Sequence, residues 1–165
     1  MDPIAPAATL HSVCGKIAAG KSRLVQALAA QPATIGISED DWLSRLYPGE
    51  ILELADYQRC AALLRQAMGP HVQALLRAAV SVVLDFPANT LATRAWARSL
   101  ADDAAAAHVV HWLDVPDSVC KERLRLRNAS GLHPFRTSEA QYDEITRHFV
   151  APGRDEGLRI VRHGD

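Results

Sequence analysis

The chain alternates short, almost continuously apolar runs with longer segments in which apolar residues return every three or four positions. The first pattern suits strands covered on both faces, the second helices with one buried face. Residues 8–14 predict a buried strand, and residues 22–29 a helix with Leu24, Val25 and Leu28 on one side. Gln31-Pro32 breaks that pattern, and residues 34–38 form a second short strand ending in Glu39-Asp40-Asp41. After a turn at Tyr47-Pro48-Gly49, the positions Leu54, Tyr57, Ala61, Leu64 and Met68 predict a helix from about Glu50 to Met68. Gly69-Pro70 stops it, and Pro70 suits the first turn of a separate helix carrying Val72, Leu75, Leu76 and Ala79. Residues 80–85 are the clearest strand, β-branched and ending in Asp85. Thr90 or Asn89 caps a helix to about Ala106, and residues 108–115 give a further buried strand. Pro116-Asp117 opens a helix through about Asn128. A polar, turn-rich stretch at 128–136 follows; Ser138 and Gln141 have the capping-box spacing, with Tyr142, Ile145 and Phe149 as a stripe behind them. Pro152-Gly153 ends that helix, and residues 158–161 form a last strand. Strands alternating with helices predict an α/β fold with a parallel sheet, whose ligands sit at the carboxyl ends of the strands.

Composition narrows the picture. A chain of 165 residues fits one domain, and a formal net charge of −1 indicates neither a nucleic-acid nor a membrane partner. Cys14, Cys60 and Cys120 are odd in number and far apart without C-x-x-C spacing, which indicates neither a disulfide framework nor a zinc site and suits reduced thiols in a cytoplasm. Met1-Asp2-Pro3-Ile4 opens without the basic and apolar regions of a signal peptide, and no segment reaches membrane-spanning length.

The chemistry gathers on Gly15-Lys16-Ile17-Ala18-Ala19-Gly20-Lys21-Ser22, which reads G-x-x-x-x-G-K-S and is followed by Arg23. Glycines let the backbone curl so that successive N–H groups face one anion, Lys21 supplies charge to the β- and γ-phosphates, and the Ser22 hydroxyl suits Mg²⁺. The predicted strand before this phosphate-binding loop (P-loop) and the helix after it give the motif the context it needs, and the helix start adds its positive dipole end.

The strand-end rule places Asp40 and Asp85 beside this loop. Asp40 is the candidate base for an incoming hydroxyl, with Asp41 and Glu39 as lesser candidates; as a mere first-turn acid it would serve only the helix dipole. Asp85 is the candidate metal carboxylate with Ser22. Arg123 and Arg127 lie one helical turn apart and are candidates for ligand phosphate, while Arg136 falls in a lid-like segment at about 128–138. The seven histidines have no metal-ligand spacing. Trp42 and Trp96 are candidates for a substrate pocket, against core packing as the alternative.

Gly15–Ser22, Ile37-Ser38-Glu39-Asp40, Val83-Leu84-Asp85, and Leu113-Asp114-Val115-Pro116 with Cys120, Arg123 and Arg127 together resemble the small P-loop kinases of the AAA-type ATP-binding group. That group is similar to chloramphenicol phosphotransferase, zeta toxin, gluconate kinase and the kinase domain of polynucleotide kinase. The resemblance spans nearly the whole chain and implies one P-loop NTPase domain, a five-stranded parallel sheet in the order 2-3-1-4-5 with helices on both faces, and an arginine-bearing lid. It implies ATP with Mg²⁺, Asp40 as base, and a substrate-contacting arginine soon after it. Arg45 is the nearest but lies later than the usual spacing, so Arg94 is the other candidate, with Asp41 and Trp42 beside the substrate. The expected activity is ATP-dependent transfer of the γ-phosphate to a hydroxyl of a small molecule, an antibiotic or a metabolite. The alternatives are a non-catalytic nucleotide-binding regulator and a polynucleotide 5′-hydroxyl kinase.

Overall fold

A computed structural model describes residues 7–132 and 136–164. The N-terminal stretch read above for targeting and the middle of the expected lid lie outside the described residues. The elements run β1 (Thr9–Gly15), α1 (Lys21–Ala29), β2 (Thr34–Ser38), α2 (Glu39–Leu46), α3 (Leu54–Arg77), β3 (Ser81–Pro87), α4 (Leu91–Asp103), β4 (Ala107–Leu113), α5 (Asp117–Ser130), α6 (Glu139–Thr146), a 3₁₀ turn (Arg154–Glu156) and β5 (Arg159–His163). The strands form one parallel sheet in the order β2-β3-β1-β4-β5. This is the P-loop NTPase arrangement, with the first strand in the middle.

Strand alternation sorts the core into two layers. Leu10, Val82, Leu84 and Phe86 pack with Leu64, Val72 and Leu76 of α3 and Ala97, Leu100 and Ala101 of α4. Val13, Val83 and Leu113 point the other way, against Leu24, Val25 and Leu28 of α1 and Cys120 and Leu124 of α5. The alternation along β1 and β3 thus divides their side chains between the two helix layers.

The expected break at Gly69-Pro70 does not occur: α3 continues through Pro70 to Arg77. Proline costs a helix its N–H bond one turn back. Here the buried stripe Leu64, Met68, Val72, Leu76 keeps its helical spacing across the proline, and Gly69 lies close enough to Leu100 that a Cβ would stand 3.4 Å from its Cδ2. Burial of that stripe outweighs one lost bond. The stripe expected after Ser138 is also shorter: the capping box forms, but Tyr142 alone is buried, Ile145 is exposed, and Phe149 lies beyond α6.

Three imidazoles form a row across the sheet. His11 Nδ1 meets His111 Nε2 at 3.0 Å, and His111 Nδ1 meets His163 Nε2 at 3.0 Å, while His108 Nε2 meets the Ser12 hydroxyl at 2.9 Å. Burial pushes both His111 and His108 down to about 4 from an ordinary 6.5. The unfolded chain binds these protons first as the pH falls, so both contributions to stability are complete above pH 6.5 and are lost between pH 6.5 and about 4. At about 1.4 kcal/mol per pKa unit, each contributes of order 3–4 kcal/mol. Urea unfolding at pH 7.5 and pH 4.5 is expected to show that drop, and His111→Gln is expected to flatten it.

Candidate active site

Gly15 ends β1 and Lys21 begins α1, so the six residues from Gly15 to Gly20 form the loop. Two features fix its shape. Gly20 has φ +99°, a left-handed conformation that a side chain disfavours. Gly15 packs so closely on β4 that a Cβ would stand 3.3 Å from Leu113 Cβ. Ala18 also has a positive φ of 60°, and Ala19 is buried against the core while Ile17 packs partly on it.

Lys21 Nζ donates to the Gly15 and Lys16 carbonyls, each at 2.6 Å. The ammonium therefore closes the loop on itself and keeps a third donor. Burial lowers its pKa, opposed by the nearby Asp85 carboxylate. Ser22 and Arg23 are exposed at the helix start. Lys16 turns away to pair with Asp117 on α5 at 2.6 Å, and Asp117 also accepts from the Tyr142 hydroxyl at 2.9 Å. That chain ties the loop to α5 and α6.

Ser38 on β2 is paired in register with Asp85 on β3, which brings the two strand ends together. The β1–β3 register steps from Ser12–Leu84 to Val13–Pro87, so β3 carries Asp85 and Phe86 as extra residues at the loop. Such an irregularity re-aims side chains. Burial raises the Asp85 pKa, and the negative charge of Asp40 raises it further. Asp85, half-buried beside Lys21, and the exposed Ser22 hydroxyl at the head of α1 are hard oxygen donors that fit Mg²⁺.

Ser38 caps α2 by accepting from the Asp41 N–H, which puts Glu39, Asp40 and Asp41 in one turn facing three ways. Asp41 pairs with Arg45 at 3.0 Å, so Arg45 is held on its own helix. Asp40 is exposed, and among the described residues no side chain hydrogen bonds or pairs with it. Glu39 is only 1% exposed; one oxygen accepts from the Tyr57 hydroxyl, the other from Arg65 Nη2 at 3.4 Å. Burial pushes the Glu39 carboxyl up, against the pull of those two donors. Trp42 is exposed on α2, whereas Trp96 stacks on Phe86 with ring centroids 5.9 Å apart.

Arg123 and Arg127 do reach the loop side. Arg123 Nη1 donates to the Ala19 carbonyl at 3.4 Å. Arg127 lies near enough to Lys21 to lower its pKa, and its Nε is buried without a hydrogen-bond partner among the described residues. Arg136 is exposed just before α6.

Arg94 is a correction to the sequence reading: it does not face the cleft. It is 0% exposed, donates twice to Glu156 at 2.7 and 2.9 Å, and bonds the Ala88 and Val150 carbonyls at 3.0 and 2.8 Å. It clamps the loop after β3 to the segment before β5. That loop then presents Asn89, whose side-chain oxygen accepts from the Gly15 N–H at 3.0 Å. Arg94→Met leaves the partly exposed Glu156 carboxylate with only the Gly153 N–H and takes the donor from two carbonyls, and is expected to cost about 3 kcal/mol, measured by urea unfolding.

An AAA-domain family model matches residues 10–152. The chain belongs to this AAA-domain family. No match is found among curated proteins. Among solved structures, a Chloroflexus aurantiacus chain provisionally described as a kinase superposes with a TM-score of 0.76 at 20% identity, covering 96% of this chain and 89% of that one. A gluconokinase from Sinorhizobium meliloti gives 0.60 at 18% identity, covering 96% and 82%. Chaetomium thermophilum Kti12 bound to ADP-AlF₃ gives 0.68 at 16% identity, covering 93% and 88%. At these identities the likeness establishes the fold of the AAA domain. Among the described residues, no helix is long and apolar enough to cross a membrane.

Proposed function

We propose that this AAA domain is an ATP-dependent kinase that moves the γ-phosphate to a hydroxyl of a small molecule. The observation that carries the reading is Asp40: an exposed carboxylate with no side-chain partner among the described residues, two residues past Ser38, which pairs in register with Asp85 at the strand ends that flank the phosphate loop. Neighbouring folds that include a sugar kinase, a gluconokinase and a kinase of adenosine phosphosulfate (APS kinase) support it.

The loop N–H groups and Lys21 hold the donor's β- and γ-phosphates. Ser22 and Asp85 are the residues that would hold Mg²⁺, which when bound neutralises charge on the phosphates. Asp40 accepts the proton of the acceptor hydroxyl as its oxygen bonds the γ-phosphorus and the bond from phosphorus to the β–γ bridging oxygen breaks, releasing ADP. Arg123 and Arg127 stand where positive charge lowers the cost of the transferring group. Arg136, on the segment before α6, is the lid arginine of this scheme.

The test is incubation of γ-labelled ATP with a panel of alcohols, sugars, hydroxy acids and 5′-hydroxyl oligonucleotides. Label in a small-molecule phosphoester supports the proposal. Label in an oligonucleotide, or an ATP-dependent shape change without transfer, refutes it.

A further inference from the structure

The segment that follows β3 meets the phosphate loop at Asn89. Its Oδ1 accepts from the N–H of Gly15, the last residue of β1, at 3.0 Å. Only the oxygen of a side-chain amide can accept, so this bond fixes which way the group is turned. Nδ2 then stands two bonds from the oxygen that touches the loop. It carries two N–H donors, and among the described residues no protein group accepts from them. Thr90 rather than Asn89 caps α4, so the amide is not spent on the helix, and Asn89 is only half-buried.

The backbone behind this amide is held on both sides. The Ala88 carbonyl accepts from Arg94 Nη1 at 3.0 Å, and the Asn89 carbonyl accepts from the Val150 N–H at 2.9 Å. Arg94 Nη1 also donates to the Val150 carbonyl at 2.8 Å, while its Nε and Nη2 go to Glu156. The Arg94 clamp thus presents one amide in a fixed orientation, which is what stabilising a developing charge requires.

The place of that amide bears on transfer. The sheet runs β2-β3-β1, with the phosphate loop after β1 and Asp40 just past the end of β2. A phosphoryl group passing from the loop toward Asp40 crosses the line between β1 and β3. Asn89 bridges that line through Gly15, and Asp85 precedes it on β3. Lys21 and the loop N–H groups belong to the β1 side. On the β3 side, where Asp40 and Asp85 are both acids, Asn89 is a neutral donor.

We propose that Asn89 Nδ2 donates to the γ-phosphate of bound ATP and stays with it during transfer, while Oδ1 holds the loop. Asn89 is then a catalytic residue, and Arg94 the residue that positions it. This rests on the ATP-binding part of the kinase reading above and not on its acceptor.

The experiment compares two nucleotides that differ by the γ-phosphate. Affinities for ADP and for the non-hydrolysable ATP analogue adenylyl imidodiphosphate are measured by calorimetry, with Mg²⁺, on wild type, Asn89→Ala and Asn89→Asp. Asn89→Ala is expected to lower the ratio of analogue to ADP affinity by about 10-fold or more, the usual loss of one hydrogen bond to a charged group. Asn89→Asp keeps an acceptor for the Gly15 N–H and puts a negative charge where the donor was. Its ADP affinity is expected to stay within a few-fold of wild type, and its ratio to fall by about 10-fold or more. It decides the matter if thermal unfolding shows that Asn89→Ala does not fold. If Asn89 only anchors the loop, Asn89→Ala weakens both nucleotides alike. That unchanged ratio, or a smaller drop where Asn89→Asp alone folds, overturns the proposal. A lowered ratio supports it even if no acceptor is ever phosphorylated, in which case the kinase reading alone fails. A wild type that binds neither nucleotide overturns both.

Discussion

Lys21→Ala is expected to reduce phosphoryl transfer by at least about 10²–10³-fold, the usual loss when a preorganised charge is removed from a developing anion. The structure gives a particular reason. Lys21 Nζ sits on the Gly15 and Lys16 carbonyls, so its charge is already placed at the mouth of the loop before any phosphate arrives. Burial weakens its hold on its own proton, and Asp85 opposes that effect without cancelling it. The loop itself is held by other contacts: the Asn89 oxygen on the Gly15 N–H and the Lys16–Asp117 pair. The variant should therefore fold, with unchanged far-ultraviolet circular dichroism, and lose ATP affinity by calorimetry together with turnover. Wild-type turnover in a folded Lys21→Ala protein would remove the loop from the mechanism.

The second large effect falls on the acceptor side. Asp40→Asn is expected to lower kcat by about 10²–10⁴-fold, the range of a general base. The donor phosphates are held by β1, the loop and α1, none of which depends on the Asp40 carboxylate, so ATP affinity should stay within a few-fold. Asp41 is the internal control. It is one residue away and carries the same charge, but it is turned onto Arg45 at 3.0 Å.

Much of the fold was legible because its determinants are local. The apolar runs at 80–85 and 108–115 and the capping box at Ser138 and Gln141 each depend on neighbours in sequence. The sheet order came from the resemblance, not from periodicity. What was not legible depends on distant partners. Pro70 looks like a stop because its local cost is visible, whereas the layer of α4 that keeps α3 intact is not. Arg94 looked like a free cation because Glu156, 62 residues away, cannot be paired with it by spacing. Its place on the stripe with Ala97 and Ala101 was the available signal, since a charged residue at a buried position implies a fixed counter-charge. Asn89 looks like a helix cap in the sequence for the same reason: its partner, Gly15, is 74 residues away. The triad of acids at 39–41 was read as one cluster, but a helical turn sends neighbours in different directions, so the three carboxylates have three different environments.

The most direct measurement pairs two readings on three proteins: wild type, Asp40→Asn and Asp41→Asn. Nucleotide affinity is taken by calorimetry and phosphoester formation from γ-labelled ATP with the best acceptor found. The account predicts similar ATP affinity in all three, transfer lost by about 10²–10⁴-fold in Asp40→Asn, and transfer nearly retained in Asp41→Asn. Equal transfer by wild type and Asp40→Asn, or equal losses in the two variants, would contradict it.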